Sequence, residues 1–503
     1  MADEDRGPGY GLGLSTRTQV TGYQFLARRT AMALTRWQVR MEVEPGRRQS
    51  LAVVASVSAA SVICLGALLW SFLSPSGQLR NESPIIADRD SGALFVRVGD
   101  TLYPALNLAS ARLIAGRPDN PHKVRSSQIA EQPHGPMVGI PGAPSEFLVR
   151  SPASASWLIC DAVANTQGVG APSPVTVTVI DGTPDISGHR RVLSKPDAVV
   201  LRYGDDSWVI RQGRRSRINA ADRAVLLPLG LSPEQVDHAR PMSRALFDAL
   251  PVGPDLSVPV VPDAGGPAQF PNAPGPVGTV FVTPQLSGPQ QYSVVLSNGV
   301  QTVSPIVARI LHNAGATAGG APPVVAPPAL AKMPVVAGLD LSAYPDEPLK
   351  VVDIRENPAT CWWWERSGGE SRPRVQVVSG PTIPVPQEET DKVVSLVKVD
   401  KTGREADRVY FASDYGNFVA VTGNDAEATT TESLWWLSFS GVRFGVPGDN
   451  ERKALGLVEE PTPAPWVALR LLAPGPTLSR EDALVRHDTL PTDMDPAALA
   501  VPK

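Results

Sequence analysis

Only three of the 503 residues are cysteine, six are histidine and nine are lysine, and each shortage removes a class of chemistry. The cysteines, Cys64, Cys160 and Cys361, include no C-x-x-C pair. A thiolate zinc ribbon or a thioredoxin-type redox motif is therefore excluded. The histidines, at 122, 134, 189, 238, 312 and 487, have no ligand-like spacing, and there is no H-E-x-x-H. No lysine follows a glycine, so the chain lacks the Gly-Lys-Ser/Thr step of a phosphate-binding P-loop. It also lacks a G-x-S-x-G nucleophile elbow. The 46 Lys and Arg nearly balance the 50 Asp and Glu, which offers no basic surface to nucleic acid. These residues name no catalytic group, metal ligand or cofactor, and they disfavour an enzyme.

What the chain has is one long apolar run. Leu51 to Leu73, LAVVASVSAASVICLGALLWSFL, carries no charged side chain. As a helix it spans roughly 35 Å, enough for a hydrocarbon core of about 30 Å. A cleaved signal peptide would sit nearer the first residues and end on a small-residue cleavage pattern. SPSGQLRNES follows instead. Arg47 and Arg48 before the run and Pro75 after it also argue against a buried core helix. Arg28, Arg29, Arg36, Arg40, Arg47 and Arg48 precede the run, whereas Arg80 and Arg89 follow it among Glu82, Asp88 and Asp90. The positive-inside rule then places residues 1–50 in the cytoplasm and the bulk of the chain outside a single span.

Cys160 and Cys361 both fall in that outer part, where an oxidising space suits one disulfide. Two free buried thiols are the alternative reading. In the inner arm, Ser15 to Met41 lacks proline and reads as a helix, until Pro45-Gly46 interrupts it. Val20, Tyr23, Ala27, Leu34, Trp37 and Met41 recur at three- and four-residue steps as one apolar stripe, with most arginines off it. Such a stripe docks on a partner or rests on the inner leaflet.

The outer part is rich in proline, 51 residues in the whole chain, about twice the usual share. It is nonetheless apolar enough to fold, with strand-like runs at VTVTVI, AVVLRYG, YSVVL and LWWLSF. Four segments, starting at Ala93, Ala198, Gln290 and Ser433, each read as a strand, a turn, a second strand and a helical stretch. The turns fall at Gly99, Gly204 or Gly213, Gly299 and Gly441, where glycine permits a positive φ. One such ββα unit cannot bury its own face, so the four must lean on one another or on something central. VPVVPDAGGPAQFPNAPGP and AGATAGGAPPVVAPPALA read as surface linkers. The CWWWE cluster (Cys361 to Glu365) and Trp435-Trp436 read as core or interface aromatics rather than a stacking platform.

The opening YGLGLSTRTQVTGYQFLARRTAMALTRW, the single span, VRVGDTLYPALNLASARLI and NPATCWWWER together resemble the EccB family, membrane-anchored core components of mycobacterial type VII (ESX) secretion systems. The resemblance runs end to end and is nearest to members of the fifth ESX system. It implies an α+β outer region of four repeats around a discontinuous central domain tied by Cys160–Cys361. It also implies partners: EccC, EccD, EccE, the mycosin protease, and further EccB copies in a hexameric inner-membrane complex. Val20, Tyr23, Leu34, Trp37 and Met41 are then the candidate partner-binding residues of the cytoplasmic helix. The ATPase label used in the family meets no Walker A lysine here. A structural and gating component is the leading function, with a nucleotide hydrolase or a cell-wall-binding module as alternatives. The expected division is 1-50 cytoplasmic arm, 51-73 span, 84-131 repeat 1, 132-196 central domain, 197-252 repeat 2, 276-315 repeat 3, 336-431 central domain again, 432-480 repeat 4 and 481-503 tail.

Overall fold

The computed structural model describes residues 16–36, 45–73, 83–163, 175–315, 320–368, 370–397, 404–423 and 431–490. Two compact units result, Met1–Gln78 and Leu79–Lys503.

The first unit holds helix α1 (Arg17–Arg36) and helix α2 (Pro45–Leu73). Pro45-Gly46 opens α2 rather than merely interrupting a helix. A proline at the first helical position sacrifices no hydrogen bond and has φ already set. Among the described residues α2 alone is long and apolar enough to cross a membrane, over Ser50–Trp70. Its apolar side chains are exposed all round, as lipid contact requires.

The second unit begins with an antiparallel meander of β1 (Ile85–Asp88), β2 (Leu94–Val98) and β3 (Thr101–Pro104). Helix α3 (Leu108–Ala115) follows, capped by the Asn107 side chain at one end and by left-handed Gly116 at the other. The chain returns as β4 (His122–Val124), parallel to β1. After α4 (Ser126–Ala130) it runs parallel to β3, through Leu102–His134 and Ala105–Val138, into β5 (Met137–Val138).

The same path recurs three times. Strands β6 (Ser154–Val163), β7 (Val175–Asp181) and β8 (Arg191–Val192) come first and belong to a separate central sheet. Repeat 2 then has β9 (Asp197–Tyr203), β10 (Asp206–Arg211), β11 (Arg214–Ile218), α5 (Arg223–Leu226) and α6 (Pro233–Asp237). Its β12 (Arg240–Pro241) lies parallel to β9, and α7 (Arg244–Ala249) leads into residues 252–256, parallel to β11. Repeat 3 has β13 (Val280–Thr283), β14 (Gln291–Leu296), β15 (Gly299–Val303) and α8 (Pro305–Ala314). Val324 then bridges parallel to Val282, and after α9 (Pro327–Leu330) Val335 bridges parallel to Val300.

Strands β16 (Lys350–Val351), β17 (Ala359–Ser367), β18 (Arg374–Gly380), β19 (Val394–Ser395) and β20 (Arg408–Phe411) follow. Repeat 4 closes the pattern with β21 (Phe418–Thr422), β22 (Thr431–Leu437), β23 (Val442–Val446) and α10 (Asp449–Leu455). Next come β24 (Thr462–Pro465) parallel to β21, α11 (Trp466–Leu469), and β25 (Ala473–Pro474) parallel to β23.

The repeating unit is thus larger than ββα. It is a three-strand meander whose two outer strands each gain a parallel partner after a helical turn. The added pieces are short and carry prolines, which edge positions tolerate because one side needs no amide donor. AGATAGGAPPVVAPPALA is part of repeat 3 rather than a linker, since Val324 and α9 lie within it. Phe270 of the other proline-rich stretch is buried against Phe281, Val295 and Val300. Gly99, Gly213 and Gly441 take positive φ, but Gly299 is not among the positive-φ glycines. There a Cβ would stand 2.5 Å from the Pro334 carbonyl oxygen, so close backbone approach excludes a side chain.

The central sheet has the order β19-β20-β7-β6-β17-β18-β8. Strands β6 and β17 pair antiparallel from Ser154–Ser367 to Ala162–Ala359, placing Cys160 opposite Cys361. Their disulfide joins residues 201 apart in sequence, with Cα atoms 4.0 Å apart. One face of this sheet packs Trp157, Ile159, Trp362, Trp364 and Val377 against repeats 2 and 4. The other carries Leu158, both cysteines, Ile180, Val378 and Tyr410. Repeats 1 and 4 share a core through α3 and α10. Repeats 2 and 3 pack together through α5 and α8.

Both sulfurs are buried, and the loop they close is long. Cys361→Ser is expected to lower the stability of the outer unit by about 2–5 kcal/mol, largely by freeing the unfolded chain. Denaturant unfolding of the detergent-solubilised protein checks this. A loss below about 0.5 kcal/mol would show that the sheet holds without its bond.

Candidate functional site

The molecule is organised around the seam where two repeats meet the central sheet. Helices α7 of repeat 2 and α11 of repeat 4 touch each other, and both lie on β6. Ala245, Leu246, Ala249 and Leu250 from one side, with Ala468, Leu469, Leu471 and Leu472 from the other, enter the core that holds Trp157, Trp362 and Trp364. At the rim, Arg470 Nη2 donates to Asp248 Oδ2 at 2.7 Å. Arg215 donates to the Phe247 and Leu250 carbonyls at the end of α7 and lies 3.8 Å from the Phe247 ring centroid.

The start of α7 is fixed by a carboxylate from the central sheet. The Ser243 amide donates to Asp161 Oδ2 and its hydroxyl to Asp161 Oδ1, each at 2.6 Å. The same hydroxyl oxygen caps α7 by accepting from the Leu246 amide. Asp161 is 4 % exposed. Burial pushes its carboxyl up to about 7, against the lowering effect of the two Ser243 bonds and with a further push from Asp407. Asp181, at the end of β7, is raised well above the carboxylate range, first by burial and then by Asp414.

Two clefts open beside this frame. One of about 470 Å³ is lined by Glu234, His238 and Arg240 of repeat 2 and by Asp353 and Arg355, which follow β16. One of about 610 Å³ lies between residues 142–150 and repeat 4, with Arg150, Tyr415, Trp436 and Phe439 in its wall. Among the described residues, no three His, Cys, Asp or Glu side chains are grouped to hold a metal ion.

Of the residues singled out by sequence, Cys160 and Cys361 are brought together. Val20, Tyr23 and Leu34 lie on α1, with Tyr23 77 % and Leu34 81 % exposed. Trp37 and Met41 lie outside the described residues. Trp362 and Trp364 are fully buried, while Trp363 is part-buried on the opposite face and donates to Ser156 Oγ at 2.9 Å. The chain of contacts from Asp161 to Ser243 went unread. A lone carboxylate in the apolar run SASWLICDAV was the available signal, but nothing in sequence identifies its partner 82 positions away.

Comparison with known proteins completes the picture. The family model described as type VII secretion system ESX-1, transport TM domain B, matches residues 12–492. The chain is 73 % identical over 507 residues, covering all of both sequences, to the "ESX-5 secretion system ATPase EccB5" of Mycobacterium tuberculosis strain H37Rv. It matches a chain of the solved intact ESX-5 inner membrane complex at TM-score 0.79 and 72 % identity, covering 98 % of this chain and 100 % of that one. A chain of the solved periplasmic assembly from the ESX-5 inner membrane complex matches at TM-score 0.77 and 71 % identity, covering 84 % and 100 %.

The buried tryptophans and the exposed ring of the larger cleft should separate cleanly on mutation. Trp362→Ala is expected to cost about 3–5 kcal/mol, because a large side chain leaves a cavity in the shared core. Phe439→Ala, at a position 70 % exposed, should stay within about 0.5 kcal/mol. Parallel denaturant titrations decide; equal effects would mean that Trp362 is not a keystone of packing.

Proposed function

The chain belongs to the EccB family of type VII secretion components, and on that premise we propose that it is a structural and gating core component of an ESX inner-membrane complex. The observation that carries this reading is end-to-end likeness to chains of the ESX-5 complex, joined to one membrane-length helix and a disulfide-tied outer unit. The outer unit contributes to the periplasmic assembly and α2 anchors it. The arginine-rich side of α2, with α1, is cytoplasmic. An alkaline phosphatase fused after Lys503 would then be active, and one placed before Ser50 inactive; the reverse pattern would invert the topology.

We assign the partners as EccC, EccD, EccE, the mycosin protease and further copies of this chain in a hexameric complex. The stripe of Val20, Tyr23, Leu34, Trp37 and Met41 is the cytoplasmic docking face. An outer region of four repeats around a central sheet suits this role; the expected bounds of that centre, 132-196 and 336-431, narrow to β6–β8 and β17–β20, because β5 lies in repeat 1 and β21 in repeat 4. The protein acts by rigidity and attachment.

Nucleotide hydrolysis, the activity in the relative's printed name, requires stabilisation of charge on the transferred phosphoryl group. No lysine here follows a glycine to supply it in a P-loop. Magnesium-dependent ATP turnover by the purified protein, abolished by a point change within it, would favour that second reading.

Co-purification tests the assembly. Tyr23→Ala with Leu34→Ala removes exposed apolar contact from α1. If these residues are buried against a partner, each truncation costs about 1–4 kcal/mol, so the pair together weakens association by more than about tenfold. The expected result is normal membrane insertion with loss of the other core components. Undiminished recovery of the whole complex would assign the stripe to the lipid surface instead.

A further inference from the structure

We infer that the cleft of about 470 Å³ beside β9 binds a zwitterion, an amino acid or short peptide whose carboxylate meets Arg240 and whose ammonium meets Glu234. The site is additional to the assembly role, since its occupant is a small ligand rather than another chain of the complex.

The cleft opens where two short strands share one edge of β9. Strand β16 covers the start of that edge, with the Val352 amide donating to the Ala198 carbonyl at 2.9 Å. Strand β12 covers its end, with the Met242 amide donating to the Arg202 carbonyl at 2.9 Å. A strand repeats every second residue. Val200, midway between Ala198 and Arg202, therefore turns its backbone to the same edge, and it lines the cleft.

Arg240 of β12 and Glu234 of α6 carry opposite charges in the walls of this one cleft, yet they do not pair with each other. Among the described residues, no hydrogen bond or ion pair engages either charged group. Arg240 Nη1 is in addition buried without a partner. A donor that has lost water and gained no acceptor is unfavourable, and a carboxylate entering the cleft supplies a fork-shaped acceptor for the guanidinium. The other two charges in the wall are already engaged. Asp353 Oδ1 accepts from the Arg355 amide at 2.8 Å, and Arg355 has an interaction of its own. His238, exposed in the same wall, adds a ring that hydrogen-bonds through either nitrogen.

The open charges are thus one cation and one anion. A simple anion would satisfy Arg240 and be repelled by Glu234; a simple cation would do the reverse. A molecule carrying a carboxylate and an ammonium satisfies both, and the cleft lies within the size range of small-molecule sites.

Isothermal titration of the detergent-solubilised full chain with alanyl-alanine tests this. Saturable binding is expected, with a Kd of about 1 mM or tighter. Blocking the amine in N-acetyl-alanyl-alanine, or the carboxylate in alanyl-alanine amide, should each weaken binding roughly tenfold or more. Glu234→Gln should lose the discrimination against the acetylated peptide and keep that against the amide. Arg240→Gln should do the opposite, and Arg240→Lys should retain part of the preference for a free carboxylate. The blocked peptides interrogate the wild-type protein, so the answer does not depend on any variant folding. Alanine binding as tightly as the dipeptide would identify the occupant as an amino acid; tighter binding of alanyl-alanine or trialanine would identify it as a peptide. No saturable binding of any of the three up to about 20 mM overturns the proposal. So do equal affinities for free and blocked peptides, or binding that Glu234→Gln and Arg240→Gln leave unchanged.

Discussion

The antiparallel pairing of β6 with β17 is the contact on which the outer unit depends. The strands lie about two hundred positions apart in sequence, and repeats 2 and 3 are threaded between them. Closing so long a loop is entropically costly. The in-register run from Ser154 to Ala162 offsets it with a full hydrogen-bond ladder, and the Cys160–Cys361 bond makes it permanent. The other strands of the central sheet extend this pair sideways, and repeats 2 and 4 pack on one of its faces.

The repeats solve a common problem in a common way. A three-strand meander leaves two open edges and one bare face. Each repeat closes its edges with short returning strands and buries its first helix against that of another repeat. Repeats 1 and 4 pair through α3 and α10, and repeats 2 and 3 through α5 and α8. Repeats 2 and 4 then turn later helices, α7 and α11, onto β6. The two pairs therefore meet at the tryptophan layer of the central sheet.

Much of this was legible in the residues. The turns between the second and third strands of the meanders showed through Gly99, Gly213 and Gly441, because few side chains tolerate positive φ. The amphipathic α8 showed through Ile306, Val307, Ile310 and Leu311. The returning strands did not show, because two or three residues carry no period to detect. Val324 sits between prolines and reads as coil until its partner Val282 is in place. Gly299 was legible as a glycine turn but for a different reason, the nearness of Pro334. Asp161 is a carboxylate in an apolar strand, but its meaning depends on Ser243, which no local pattern connects to it.

The sequence by itself determined the anchor, the charge asymmetry across it and the strand-and-helix rhythm of the repeats. Those properties depend on local composition and on spacings of a few residues. The tertiary structure alone decided which repeats pair and which strand closes each edge. It also decided which face of the central sheet takes the tryptophans and which takes the disulfide. The physical reason is that hydrophobic burial is non-directional: an apolar face specifies that it must be covered. Which distant segment covers it is chosen by shape and by long-range contacts that form together.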